Sequence, residues 1–549
     1  MKKFLSGIVC LALLSAAACS SGDEKPQETG KLAEIAPVIY DNEEIKTVDK
    51  TEAGDIDSWK AQVFTPNGGN NDDAVPDSVI KSPWHTLVIN GTEVPVYTAR
   101  CGKGAHSFAW ADVVTEKENF CLNVTLSTTK AYKKCEILPL GKNVSAKLND
   151  KTVTAKITDY GSYTFTFASA SDAKVTDPAL APITVMVTEE TPLQIPRGYD
   201  VEYVEPGIHE TGELRFTAEQ TVYVIKSGLH DLSDINLPAD SILYLERGAY
   251  LKCRDRLLPN GRHDTSTAIE IDGKDNVQIT GRGLLDMGEC VGGDGKFKHV
   301  FKAKNCKNML LSGLTVVNSN TWTVTLYNCD ESTVSNNLLL SYRTYSDGIM
   351  MSECRDCVGR YNFVRTGDDA IEFKGTGWAG SAVGRNCLYE YNDVWTDKGT
   401  AYGVVWESAC DMTNMKFRNN SVGFAQPKWK TTNNVLDCRL GTRTDTTWSD
   451  ITFENIDIYH VISPNVMMIE MRGKGANLEN VLYKNINVRS TDLSVFAFGM
   501  HCSGEGKIVG VKMENVKFRN KILTSDDKRD TTLFNNKAGV WFDELTIKG

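Results

Sequence analysis

Between residues 36 and 195, short runs of alternating apolar and polar residues are separated by Gly, Asn or Asp. A period of two marks strands with one buried face. The runs are Thr86–Asn90 and Glu93–Thr98 around Gly91, then Asn123–Ser127, Ser145–Asn149, Thr152–Thr158, Tyr163–Phe167 and Ile183–Thr188. They predict an N-terminal β-sandwich domain over 36–195. Cys101, Cys121 and Cys135 fall inside it, and an oxidising compartment would allow two of them to pair.

From 196 to 549 the pattern changes. Helical periodicity is absent, and strand-like segments recur with Asn, Cys and Gly at their turns. Coils can be laid under one another: KNCKNMLLSGLTVVNSNTW (304–322), YNCDESTVSNNLLLSYRTYSDG (327–348), ECRDCVGRYNFVRTGDDA (353–370), RNCLYEYNDVWTDKGTAYG (385–403) and SACDMTNMKFRNNSVGF (408–424). Cys306, Cys329, Cys354/Cys357, Cys387 and Cys410 mark a period of about 23 residues. Three short strands per period predict an all-β fold, a right-handed parallel β-helix, in which each coil lies about 4.8 Å above the last. Leucine-rich repeats compete, but their fixed leucine spacing is missing, and a propeller needs a period near 40. Asn305, Asn328 and Asn386 precede their cysteines and predict an Asn ladder outside a buried Cys ladder. Cys354-x-x-Cys357 has no second Cys pair or His pair beside it, so small core-filling thiols are the expectation rather than zinc or redox chemistry.

Composition narrows the function. The 549 residues are 41% hydrophobic and 24% charged, which excludes collagen, wholesale disorder and a multi-span membrane protein. A net charge of −11 argues against nucleic acid as a partner. Residues 1–18 read as a signal peptide: Lys2 and Lys3 precede an apolar run, Phe4–Leu14, too short to span a membrane. Ala16, Ala17 and Ala18 then meet Cys19, which resembles a bacterial lipoprotein signal with Cys19 as the lipidated residue. An ordinary cleaved signal with an incidental Cys is the alternative. Residues 19–35 read as a polar tether. Export is expected either way, as an outer-membrane or surface lipoprotein or as a periplasmic or secreted protein. A monomer is expected, as for many β-helices.

The chemistry is placed by register. Ser346-Asp347-Gly348-Ile349 and Gly367-Asp368-Asp369-Ala370-Ile371 set Asp347 and Asp369 one coil apart. Asp347, Asp368 and Asp369 should therefore cluster. Three carboxyls that close cannot all ionise freely, so one should stay protonated as a general acid while another activates water. That division of labour suits glycoside hydrolysis. A Ca²⁺ site or a solvated Asp turn is the competing reading. No nucleotide loop, metal motif or Gly-x-Ser-x-Gly is present, and no cofactor is expected.

These motifs resemble the carboxylate motifs of the polygalacturonases, glycoside hydrolase family 28, and of the dextranase and isopullulanase family, number 49. DSILYLERGAYLK (240–252), VQITGRGLLDMGE (277–289) and NSNTWTVTLYNC (318–329) extend the resemblance over roughly 200–500. It implies a β-helix, three acidic residues and an inverting mechanism on a polysaccharide. Carried over, Asp368 is the general acid and Asp347 and Asp369 hold the water, with the acid role of Asp369 left open. Polygalacturonases carry a Gly-His-Gly about a coil later, where this chain has Ala401-Tyr402-Gly403. They also carry an Arg-x-Lys for the uronate, met here only by Arg472-Gly473-Lys474. Family 49 lacks that His and has an N-terminal sandwich, so a neutral α-glucan is slightly favoured over pectin. Lys374, Trp322, Tyr345, Trp378, Tyr402 and Trp406 are the candidate substrate contacts. Arg472 and Glu407 are weaker ones, and His299 reads as structural. A non-catalytic glycan-binding lipoprotein and a polysaccharide lyase are the competing functions.

Overall fold

The computed structural model describes residues 32–549 apart from 41–44, 49–77, 101–105, 116–119, 170–181, 190–191, 293–295, 344, 381–382, 427–433, 442–444, 464, 472–476, 490–493, 503–505 and 536–544. Cys19, Cys101 and Arg472, with the signal and residues 19–31 of the tether, lie outside the described residues, whereas 32–35 already belong to the folded part.

The alternating runs form two facing sheets. One joins Val79–Lys81, Tyr97–Arg100, His106–Thr115, Ile183–Glu189, Gly161–Ala168 and Lys134–Leu138, with Ile35–Pro37 added along His106–Thr115. The other joins Thr92–Val94, His85–Ile89, Leu122–Thr128, Thr152–Ile157 and Lys147–Asn149. Leu87, Val124, Leu126, Phe165 and Val185 fill the space between them. The expected run Glu93–Thr98 is two strands, because Pro95 cannot donate to a ladder and the chain turns there. Cys121 and Cys135 are both free thiols, so the expected pairing is not made between them.

From Asp200 onward the chain is a right-handed parallel β-helix. One face is a sheet of twelve strands running from Leu214–Arg215 to Phe534–Asn535. Every second side chain on it points inward. Ala303, Leu326, Met351, Phe373, Val404, Cys438, Ile469 and Met500 stack in register through the core. The alternate positions form the outer surface of this face, and the candidate chemistry lies there.

The turns are held by side-chain ladders. Asn337, Asn362, Asn392 and Asn420 pass amide hydrogen bonds of 3.0, 2.9 and 3.2 Å from coil to coil. Asn328 donates to Asn305 at 2.7 Å, as expected. Asn386 instead bonds Asp356 at 3.0 Å, on a parallel ladder three residues further along the coil. The cysteine ladder is likewise two stacks. Cys306, Cys329 and Cys354 share one register, whereas Cys357 and Cys387 share another. Cys410 joins neither: it lies beside Glu353, and Met415 continues above Cys387.

The sandwich lies along one side of the helix. Tyr97 and Trp110 pack with Tyr250, Leu284, Leu340, Phe363 and Trp395 in one apolar cluster. The Arg365 guanidinium sits 4.2 Å from the Phe108 ring, crossing the same boundary.

Candidate active site

Strands Ile349–Ser352 and Ile371–Gly375 pair in parallel, with Ile349 opposite Ile371. The Gly348 N–H donates to the Asp369 carbonyl at 2.9 Å. Asp347 and Asp369 thus enter neighbouring strands at one register, as the coil spacing predicts. Both side chains are buried, and Asp368 beside them is half-buried. Gly399 allows this packing: a Cβ there would lie 2.1 Å from the Asp368 carbonyl carbon.

Asp369 accepts the Thr400 N–H at 2.7 Å and faces the Arg439 guanidinium at 3.6 Å. Asp347 is 3.4 Å from Lys374 Nζ. The same ammonium lies 3.4 Å from Glu372 and 3.1 Å from Glu407. Burial pushes Asp347 well above the usual carboxylate range, and the neighbouring Glu372 adds to it. Burial also raises Asp368 well above that range, with the charges of Asp347 and Asp369 acting in the same direction. Glu372 is pushed up to about 8, again chiefly by burial. Burial works against the charge on Lys374, but Glu372, Asp347 and Glu407 outweigh it and hold the ammonium well above its ordinary value.

Glu372, Asp437 and Arg439 belong to no motif that marks them in the sequence, whereas Glu407 is one of its weaker candidates. Asp437 pairs in register with Gly403, which pairs with Glu372. Burial pushes Asp437 up to about 7 against the pull of Arg439. Glu407 reaches Lys374 through an irregularity. Phe373 pairs with Val404 but Gly375 with Ser408, so Val405, Trp406 and Glu407 bulge out opposite Lys374. Trp406 takes a left-handed φ of 61° there, and Arg439 lies 4.8 Å from its ring. The alternation of LDCRL (436–440), once set in register, is the signal that finds Asp437 and Arg439.

The aromatic candidates divide. Trp378 is 57% exposed and stacks on Trp322 at 5.4 Å and 12°. Trp322 also carries Lys374 Nζ 4.7 Å from its ring and meets His299 edge-on at 6.2 Å. It therefore supports Lys374 and Trp378, while Trp378 offers the open surface. Tyr345 is exposed next to Asp347, with Phe297 against its ring edge. Tyr402 is not in the site. It pairs with the inward-facing Ile371, is fully buried, and donates its hydroxyl to the carbonyls of Asn392 and Ser421. Half-buried His299 is held down to about 4, chiefly by desolvation, and bonds the Trp322 backbone, which suits a structural role.

Oxygens of Asp347, Asp369 and Glu372 lie within 4.8 Å of one another, a spacing that also suits a cation. The Lys374 ammonium already faces two of the three and supplies positive charge there.

Clustered carboxyls on one face of a parallel β-helix suit acid–base cleavage of a glycan. Residues 261–536 match the glycosyl hydrolases family 28, and the chain belongs to that family. Dex49A from Penicillium minioluteum is similar in fold at 14% identity, with a TM-score of 0.64 over 87% of this chain and 96% of that one. This likeness takes in the sandwich as well as the helix. A hyperthermoactive exopolygalacturonase from Thermotoga maritima matches at 16% identity over 55% of this chain and 85% of its own, with a TM-score of 0.40. A family 28 exopolygalacturonase from Yersinia enterocolitica matches at 14% identity over 73% of this chain and 97% of its own, with a TM-score of 0.39. No curated protein matches the chain.

Proposed function

We propose that this glycoside hydrolase is an exported, inverting enzyme in which Asp368 protonates the leaving oxygen while Asp347 and Asp369 hold and activate water. The observation that carries the reading is the juxtaposition of Asp347, Asp368 and Asp369, with Asp368 half-buried and its carboxyl held toward the protonated form. A raised acid beside a second carboxyl, Asp369, that faces the Arg439 guanidinium is what acid–base hydrolysis of a glycosidic bond requires. Asp368→Asn is expected to lower reducing-end release by about two to four orders of magnitude with an unchanged circular dichroism spectrum. Near wild-type release sinks the assignment.

The substrate we favour is a neutral α-glucan. Lys374 is matched to three carboxylates and Arg439 lies between Asp369 and Asp437. A uronate entering here would meet carboxylates whose cations are already engaged. The family match favours a second reading, a pectin hydrolase, for which Arg472 and Lys474 would serve as the uronate grip. Reducing-sugar release from dextran, pullulan and polygalacturonate separates the two. Lipidation at Cys19 completes the proposal, and incorporation of labelled fatty acid that is abolished by Cys19→Ser tests it.

A further inference from the structure

A second ladder of turns faces the sandwich, away from the carboxyl cluster. Gly281, Gly313, Asn336, Tyr361, Tyr391, Asn419 and Asn455 follow one another on successive coils, all with left-handed φ. Glycine and asparagine tolerate that conformation, whereas a bulky aromatic residue is strained in it. Two adjacent rungs nevertheless carry tyrosine, at φ 57° and 55°. Strain kept in a regular ladder that has a ready alternative points to a use.

The two rings are parallel, 5.2 Å apart at 9°, and remain 44% and 46% exposed. Their neighbours on the ladder are small, so the pair stands proud with a ledge at each end. Cavities of 560 and 510 Å³ open on these ledges, and Tyr361, Tyr160 and Gly161 line both. They form one cleft between the helix and the sandwich. Thr280, Ser312, Asn336, Asn419 and Ser421 supply hydroxyls and amides around the rings. Three nearby charges are engaged within the protein: Lys142 with Asp393 at 3.6 Å, Arg282 with Asp112 at 3.7 Å, and Asp457 with Asn487 at 2.6 Å, while the exposed Arg360 guanidinium lies 6.0 Å from the Tyr361 ring centre.

We infer that this cleft is a non-catalytic binding site for a neutral glycan chain, with one sugar ring stacked on the outer face of Tyr361 and another on that of Tyr391. Aromatic faces bordered by hydroxyls, amides and one guanidinium, Arg360, match the alternating apolar faces and hydroxyls of a pyranose. The site holds polymer beside the helix without entering the reaction. It rests on this cleft's chemistry and not on the catalytic assignment.

The variant Tyr361→Asn/Tyr391→Asn restores the residue that the ladder uses elsewhere, so the fold should survive. Affinity electrophoresis of the full chain in gels containing dextran, pullulan or polygalacturonate provides the readout. Retardation of the wild type in a neutral gel is expected, and the double variant should bind about tenfold more weakly. Its turnover of the short oligosaccharides released from its best polysaccharide should match wild type, with an equal or higher Tm. Equal retardation of wild type and variant overturns the inference. So does the absence of retardation in both neutral gels, retardation by polygalacturonate alone, or a parallel loss of short-chain turnover.

Discussion

Two rows run along the β-helix and differ in what they repeat. The buried amides of Asn337, Asn362, Asn392 and Asn420 repeat one chemistry rung after rung, each satisfying the next. The outward row Met350, Glu372, Gly403, Asp437 and Met468 changes at every rung. The first row uses identity to hold the coils in register. The second uses the same register to bring unlike groups within a strand spacing of one another. In a repeat protein, a break in the repeat on an outward face is therefore where chemistry should be sought.

This contrast can be broken from either side. The largest stability effect is expected from Lys374→Met, which leaves buried Asp347 and Glu372 without their cation. Removing one partner of a buried ionic cluster costs about 3–5 kcal/mol, read as a fall in urea midpoint. Breaking the repeating row should cost less. Asn392→Leu orphans the Asn362 N–H and the Gly359 carbonyl, and should cost about 3 kcal/mol by the same measurement.

The pH response separates the rows more finely. Glu372 has an ordinary value of 4.5 and is raised to about 8 in the folded chain. Between those values the folded state binds more protons than the unfolded one, so this contribution to stability is present at low pH and is lost as pH rises toward 8. Glu372→Gln should flatten that decline in a Tm series from pH 5 to 8, whereas Asn392→Leu should leave its slope unchanged. The smallest effect is a gain. Tyr391→Asn relieves a left-handed aromatic residue and should stabilise by about 1 kcal/mol, seen as a higher Tm.

Much of the scaffold was legible because its coils are short at the start of the site. Asp347 and Asp369 lie one coil apart, within the spacing that the cysteines mark, and the structure sets them side by side. Past Asp369 the coils lengthen. Ile371 pairs with Tyr402 and Tyr402 with Leu436, so counting by the earlier period loses register. Tyr402 stands where the polygalacturonase His falls, which points to the groove, but its apolar register partner Ile371 turns it inward. Asp437 and Arg439 lie beyond the reach of that count. Glu407 needed a bulge that no periodicity encodes, and Glu372 lay in plain alternation with Lys374 but outside the Asp motif. Cys410 shares the spacing of the ladder without sharing its register.

The stacked thiols have one more consequence. All twelve described cysteines are free, and most are sealed in the core. While the helix stays wound, an oxidant cannot reach those stacks. Once heat unwinds it, many thiols emerge together with no native bridge to guide them, and each wrong pair formed then bars the coils from rewinding. The endurance of this molecule in an oxidising medium is thus a question of how seldom it opens, a rate rather than an equilibrium.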